Sequence, residues 1–137
     1  MSREAKQYPY ETHLDVKHDP QEVVDVPAIV RELDARPRND GRHFRGWFNQ
    51  TLCRVNDSVV RLGVMTGEYH WHKHDDLDEF FLVLEGRFLI DLEDRTVELT
   101  RDQGFVVPKG ATHRTRAPER CVVLMVEGES IIPEGDA

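Results

Sequence analysis

Gly67-Glu-Tyr-His-Trp-His-Lys-His-Asp-Asp-Leu-Asp-Glu-Phe-Phe-Leu-Val-Leu-Glu-Gly86 is the stretch on which the fold turns. Its second half, Phe80–Leu84, is apolar on both faces of an extended chain. A strand of that kind is covered on both sides. One cover is a second sheet, and the other is either the N-terminal arm or a partner subunit. The first half holds three histidines at alternate positions, His70, His72 and His74. Strand side chains repeat with period two, so an extended pentapeptide can turn all three to one face. The polar gap Asp75–Asp78 suits a turn, which brings Glu79 back on the next strand. There Glu79 shares a face with Phe81 and Val83. A carboxylate on an apolar inward face is costly unless something cationic meets it.

Outward from this stretch the signal stays β. Short runs follow one another at Ser58–Met65, Glu79–Leu84, Arg87–Leu92, Arg95–Leu99, Phe105–Val107, His113–Thr115 and Cys121–Glu127, with Glu85-Gly86 and Glu93-Asp94 where tight turns are needed. Several closely spaced strands without helical pattern between them predict an all-β sandwich or small barrel. Residues 1–46 read differently. They are polar and punctuated by proline, and they form an N-terminal extension packing on a β domain over 47–137. Within the extension, Asp25–Leu33 predicts one short helix, with Pro27 in its first turn and Ile29, Val30 and Leu33 on one stripe. Arg36-Pro-Arg-Asn-Asp-Gly41 predicts a loop.

The chain has 137 residues, the length of one domain, and can bury a core without disulfide staples. Its formal net charge of −8 argues against nucleic acid and against an anionic membrane surface as partners. No apolar run is long enough to span a bilayer, and the N-terminus lacks the apolar stretch of a signal peptide. The two cysteines, Cys53 and Cys121, fit neither a disulfide framework nor a cysteine zinc site. A cytoplasmic location is the simplest expectation.

Two imidazoles one residue apart on one face, His72 and His74, are well placed to bind one metal ion. Far downstream, Pro108-Lys-Gly-Ala-Thr-His113 reads as a turn that delivers another histidine to the start of a strand. His70 can face the same pocket as an acid or base, and Tyr69 can add a hydroxyl there. Both are candidate catalytic residues. Trp71 belongs to the opposite strand face and is expected in the core.

Gly67-x4-His72-x-His74-x4-Glu79-x6-Gly86 resembles the first motif of the cupins, and Pro108-x-Gly110-x2-His113 resembles the second. The resemblance covers roughly residues 51–127. It departs at Gly67, one residue closer to the histidines than usual, and at Asp102 and Ala117, none of which is a ligand. It implies a double-stranded β-helix, the cupin jelly-roll barrel. It also implies one metal ion held by His72, His74, Glu79 and His113. Three imidazoles and a carboxylate suit divalent Fe, Mn, Ni, Co or Zn better than calcium or magnesium.

Two functions follow. One is a metal-dependent oxidoreductase, lyase or isomerase acting on a small organic acid or carbonyl compound. The other is a non-catalytic cupin that binds or senses a small ligand. Three neutral histidines, one carboxylate and a divalent ion leave a net positive site, so a small anionic, chelating ligand is expected. Lys109 and Arg114 are candidates to add attraction at the rim. The doubly apolar strand Phe80–Leu84 points to a homodimer.

Overall fold

A computed structural model describes residues 10–36, 46–131, 133, 135 and 136. Eight strands and one helix follow in the order β1 (Tyr10–His13), α1 (Val26–Asp34), β2 (Trp47–Val55), β3 (Ser58–Glu68), β4 (Glu79–Glu85), β5 (Phe88–Leu92), β6 (Thr96–Leu99), β7 (Gly104–Val107) and β8 (His113–Gly128). The fold is the all-β, jelly-roll type expected.

β8 organises it. Along one edge it pairs antiparallel with β3, from Ser58↔Gly128 to Glu68↔Arg116. Along the other edge its C-terminal part pairs with β4 and its N-terminal part with β5. The sequence reads this region as two runs, His113–Thr115 and Cys121–Glu127. They are one strand because β3 holds both, and the register jumps from Met65↔Cys121 to Gly67↔Ala117. Pro118, Glu119 and Arg120 bulge out at the jump. Proline cannot donate to a ladder, and a bulge is one of the few sheet positions that accept it.

Two runs of chain escape the sequence pattern. β2 mixes its apolar and polar residues in pairs because a register shift between Thr51 and Cys53 resets which face is inward. It joins β3 through Asn56-Asp57, where Asn56 takes φ +53°, a conformation that asparagine tolerates in hairpin turns. β1 lies in the polar extension and pairs parallel with β2, Tyr10 opposite Trp47 and His13 opposite Gln50.

The helix forms where expected. Asp25 caps it, accepting from the Ala28 N–H at 3.1 Å, and Pro27 sits in the first turn where its missing N–H does no harm. Ile29 and Leu33 are buried against Phe48, Leu52, Leu62, Val64 and Val122, and Leu84 and Leu124 pack on the same cluster. The N-terminal arm therefore supplies the cover over this part of the outer sheet face. The loop expected over 36–41 lies, after Arg36, outside the described residues. The other apolar cluster fills the barrel interior and includes Phe81, Val83, Phe88, Ile90, Val123 and Met125. Cys53 and Cys121 are free thiols. No helix of the described residues is long and apolar enough to cross a membrane.

Gly86 turns the chain from β4 into β5 at φ +89°, and a Cβ there would lie 2.6 Å from the Arg120 carbonyl oxygen. Both the left-handed backbone and the crowding exclude a side chain. Gly86→Ala should lower unfolding free energy by about 1–3 kcal/mol in urea denaturation. An unchanged midpoint would show that the turn relaxes freely.

Candidate metal centre

The four ligand-type residues come from three pieces of chain. His72 in the histidine pentapeptide forms an isolated bridge: its N–H donates to the His113 carbonyl at 2.9 Å, and the His113 N–H donates back at 2.8 Å. The second-motif turn is tied to the first motif. Gly110 N–H donates to the His74 carbonyl at 2.8 Å, and Lys109 N–H donates to Asp78 Oδ1 at 2.9 Å. Asp78 thus anchors a turn while being exposed, like Asp75 and Asp76. Glu79 opens β4 between Val107 of β7 and Glu127 of β8.

These elements bring His72, His74, Glu79 and His113 together with one ligand atom of each within 4.8 Å of the others. His74 Nε2 lies 3.4 Å and His113 Nε2 3.6 Å from Glu79 Oε1. The tautomers of His72 and His113 follow from their backbones. His72 Nδ1 donates to the His70 carbonyl and His113 Nδ1 to the Ala111 carbonyl, both at 2.9 Å. Each Nε2 lone pair is then left for a ligand.

His74, Glu79 and His113 are buried. Yet both His74 nitrogens, His113 Nε2 and Glu79 Oε1 have no hydrogen-bond partner among the described residues. Buried polar atoms are nearly always satisfied, so a converging set of orphan lone pairs fits a missing cation. The residues present therefore could hold a metal ion.

Charge in the cluster is arranged by burial and neighbours. Burial lowers the His72 pKa to about 4, so its ring stays neutral near pH 7. Burial alone would raise the Glu79 carboxyl. Contact with His113, His74 and Glu127 reverses this and holds it well below the usual carboxylate range. Burial, then the Glu79 carboxylate, push the Glu127 carboxyl well above that range, against the pull of Arg61. Glu79 carries the charge and Glu127 the proton.

Arg61 and Glu127 were not among the residues singled out from sequence. Strand parity offered the signal: Glu127 alternates with the inward Val123 and Met125. Its pairing opposite Glu79 could not be read without the register.

The other candidates divide. Tyr69 is buried, packs against Trp47 with ring centroids 4.8 Å apart, and lines the cavity beside the cluster. His70 is stacked on Tyr69 at 4.5 Å and is not among the cavity-lining residues. It touches the cluster through the backbone carbonyl that orients His72 and through its ring, whose centroid lies 5.3 Å from that of His72. Trp71 does point away from the cluster, but it is 47% exposed and lies under the Arg114 guanidinium at 5.3 Å rather than in the core. The pentapeptide is not a regular strand, so no second sheet covers that face. Arg114 does not serve the rim. Its neighbour His113 faces inward, so its own side chain faces outward, where it grips Asp91 at 2.8 Å. Lys109 is exposed and outside the cavity lining.

The cavity holds about 480 Å³ of empty space counted to its open mouth, with only about 40 Å³ free for water-sized molecules. It runs from His72 and Glu79 past Phe81, Met65 and Met125 to Trp47, with Thr12 of β1 and Pro133 also on its wall.

The motif spacing, barrel and cluster converge with a match to the cupin domain model over residues 58–127. The chain belongs to the cupin family. This cupin is 49% identical over 90 residues to the uncharacterized protein YdbB of Bacillus subtilis, covering 63% of this chain and 80% of that protein. It is 37% identical over 93 residues to polyketide synthase CurC of Streptomyces cyaneus, covering 66% of this chain but only 60% of that protein. A solved cupin-2 domain containing protein from Shewanella frigidimarina superposes with TM-score 0.67 at 27% identity, covering 77% of this chain and 94% of that one.

The depressed His72 pKa carries a stability consequence. Between its folded value of about 4 and the ordinary 6.5, the unfolded chain binds more protons. The neutral ring's contribution is therefore complete above pH 6.5 and is lost as pH falls toward 4. In chelator-treated cupin, NMR titration of the His72 ring should give a midpoint near 4. The stability gap between wild type and His72→Asn should shrink over that window. A midpoint at or above 6.5 would contradict the buried neutral ring.

Proposed function

We propose that this cupin binds one divalent transition-metal ion, Fe, Mn, Ni, Co or Zn, through His72, His74, Glu79 and His113. We read it as a metal-dependent enzyme acting on a small organic acid or carbonyl compound. The observation that carries this is the set of buried, partnerless lone pairs converging beside an open cavity. A bound ion would supply Lewis-acid polarisation of a carbonyl or carboxylate, or redox chemistry with Fe or Mn. The chain's own contribution is to hold the His72 imidazole neutral, to present the ligand's oxygens to the cluster, and to keep bulk water from the apolar wall of Phe81, Met65 and Met125. Thr12, Tyr69 and Thr115 bring hydroxyls to that wall, and of these Tyr69 is the titratable one that would hold or pass a proton.

The lining modifies the expected ligand. No lysine or arginine is among the described residues on the cavity wall. Any attraction for an anion therefore rests on the ion alone, and the body of the ligand should be apolar and slim. The same lining favours a second reading, a non-catalytic ligand-binding cupin. Besides His72 and Glu79, Tyr69 is the one titratable side chain among the described residues on the wall. Oxygen uptake by Fe(II)-loaded protein offered 2-oxo acids and β-dicarbonyls separates oxidoreductase chemistry from simple binding.

Purified protein should contain close to one transition-metal ion per chain by elemental analysis. His74→Ala should abolish tight binding while circular dichroism stays that of a β barrel. Protein that is metal-free and refuses Mn, Fe, Ni, Co and Zn on reconstitution would sink the reading.

The homodimer is proposed on the outer face of β4, where Phe80 lies between Val106 of β7 and Val126 of β8. Those two valines are 48% and 38% exposed, beyond the reach of α1. Light scattering at micromolar concentration should give twice the 15.9 kDa chain mass. A monomer of that mass would refute it.

A further inference from the structure

A row of polar side chains crosses the barrel interior and ends at Glu79. Four adjacent strands each supply one member. Thr51 of β2 stands opposite Arg61 of β3, and Arg61 Nε donates to Thr51 Oγ1 at 3.0 Å. The Arg61 Nη1 donates to Glu127 Oε2 on β8. Glu127 stands opposite Glu79 on β4. Thr51 is 1% exposed, and Arg61 and Glu127 are 3% exposed.

Such a row is expensive in an apolar core. A buried guanidinium bonded to a buried carboxyl rarely recovers its desolvation cost, and apolar side chains of similar volume usually do as well or better for stability. The pair is not needed to staple β3 to β8, which are already in register from Ser58↔Gly128 to Glu68↔Arg116. Nor does it read a ligand, since neither Arg61 nor Glu127 lines the cavity. What it does meet is Glu79, which stands directly opposite Glu127 and whose Oε1 faces His74 and His113.

We propose that the Arg61–Glu127 pair is a positioning unit for Glu79, aiming that carboxylate at His74 and His113 and so setting how tightly and in what geometry the cluster holds a metal ion. The inference rests on the metal reading above. The chemistry is that of outer partners elsewhere: a ligand carboxylate free to rotate loses entropy on binding, whereas one already held does not. Arg61 also offsets the second buried carboxyl, so Glu127 can lie beside Glu79 without displacing it.

The test is Co(II) binding to chelator-treated full-length protein, read by competition titration and by the visible absorption bands of bound Co(II). The double variant Arg61→Met, Glu127→Leu removes the guanidinium together with the carboxyl it is bonded to and leaves neither without its partner. It should keep the β circular dichroism, bind Co(II) about 10- to 100-fold more weakly, and show shifted bands. Glu127→Gln, which keeps a donor toward Glu79 and an acceptor toward Arg61, should restore most of the affinity. Wild-type affinity and bands in the double variant would overturn the proposal. Should the double variant not fold, Arg61→Lys decides, because it keeps the charge but loses the fork: weaker Co(II) binding supports the proposal and unchanged binding overturns it. If wild-type protein takes up no Co(II), the metal reading fails by itself. The positioning role is then read in the metal-free proteins from the imidazole ¹⁵N shifts of His74 and His113, where equal shifts in wild type and variant would overturn it.

Discussion

One strand must satisfy two different neighbours along the same edge, and the rest of the molecule follows from how it does so. β8 gives its C-terminal part to β4 and its N-terminal part to β5 while β3 runs the whole length of its other edge. It manages this by bulging at Pro118. The two ends of β8 then come round to one cluster. His113 stands at the N-terminal end, bridged to His72, and Glu127 at the other, opposite Glu79. A straight strand could not place a ligand at one end and the partner of a second ligand at the other. The bulge also crowds the β4–β5 turn, which is why a glycine occupies position 86.

The interior that results mixes two kinds of solvation. Around Phe81, Val83 and Ile90 the packing is ordinary apolar core. Around Glu79 it is a small island of polar groups whose members compensate one another. Histidine suits such an island because a neutral imidazole loses little on leaving water, whereas a second carboxylate or a lysine would lose a great deal. Glu127 escapes that cost by keeping its proton, and Arg61 by its bonds to Thr51 and Glu127. The island is anchored by backbone contacts as well. The His70 and Ala111 carbonyls fix two imidazoles without using any further side chain.

Much of this was legible from sequence. The resemblance carried by the two motifs implied the cluster of His72, His74, Glu79 and His113, and the helix with Pro27 in its first turn was in place. What was not legible depended on pairing partners. Arg61 and Glu127 sit on strands whose inward faces could be guessed, but only the register puts Glu127 beside Glu79. β2 hid because a bulge reversed its parity halfway along. Trp71 was placed on the right side and given the wrong surroundings, since alternation predicts direction and not what lies there. The rim role for Arg114 failed for the same reason, with Asp91 waiting on the outer face.

β1 is four residues long, yet it occupies the flank of β2 that would otherwise present unpaired backbone groups. Exposed sheet flanks are templates for pairing with other chains. β1 is itself a poor template, being short and carrying Glu11 and His13. Glu11 is clamped in turn by both guanidinium nitrogens of Arg36, at 2.8 and 3.0 Å, just beyond the helix. The helix that covers the outer face and the strip that caps the flank are therefore latched to each other, and loosening one exposes both greasy surface and a free edge at once. The N-terminal arm thus covers both at once.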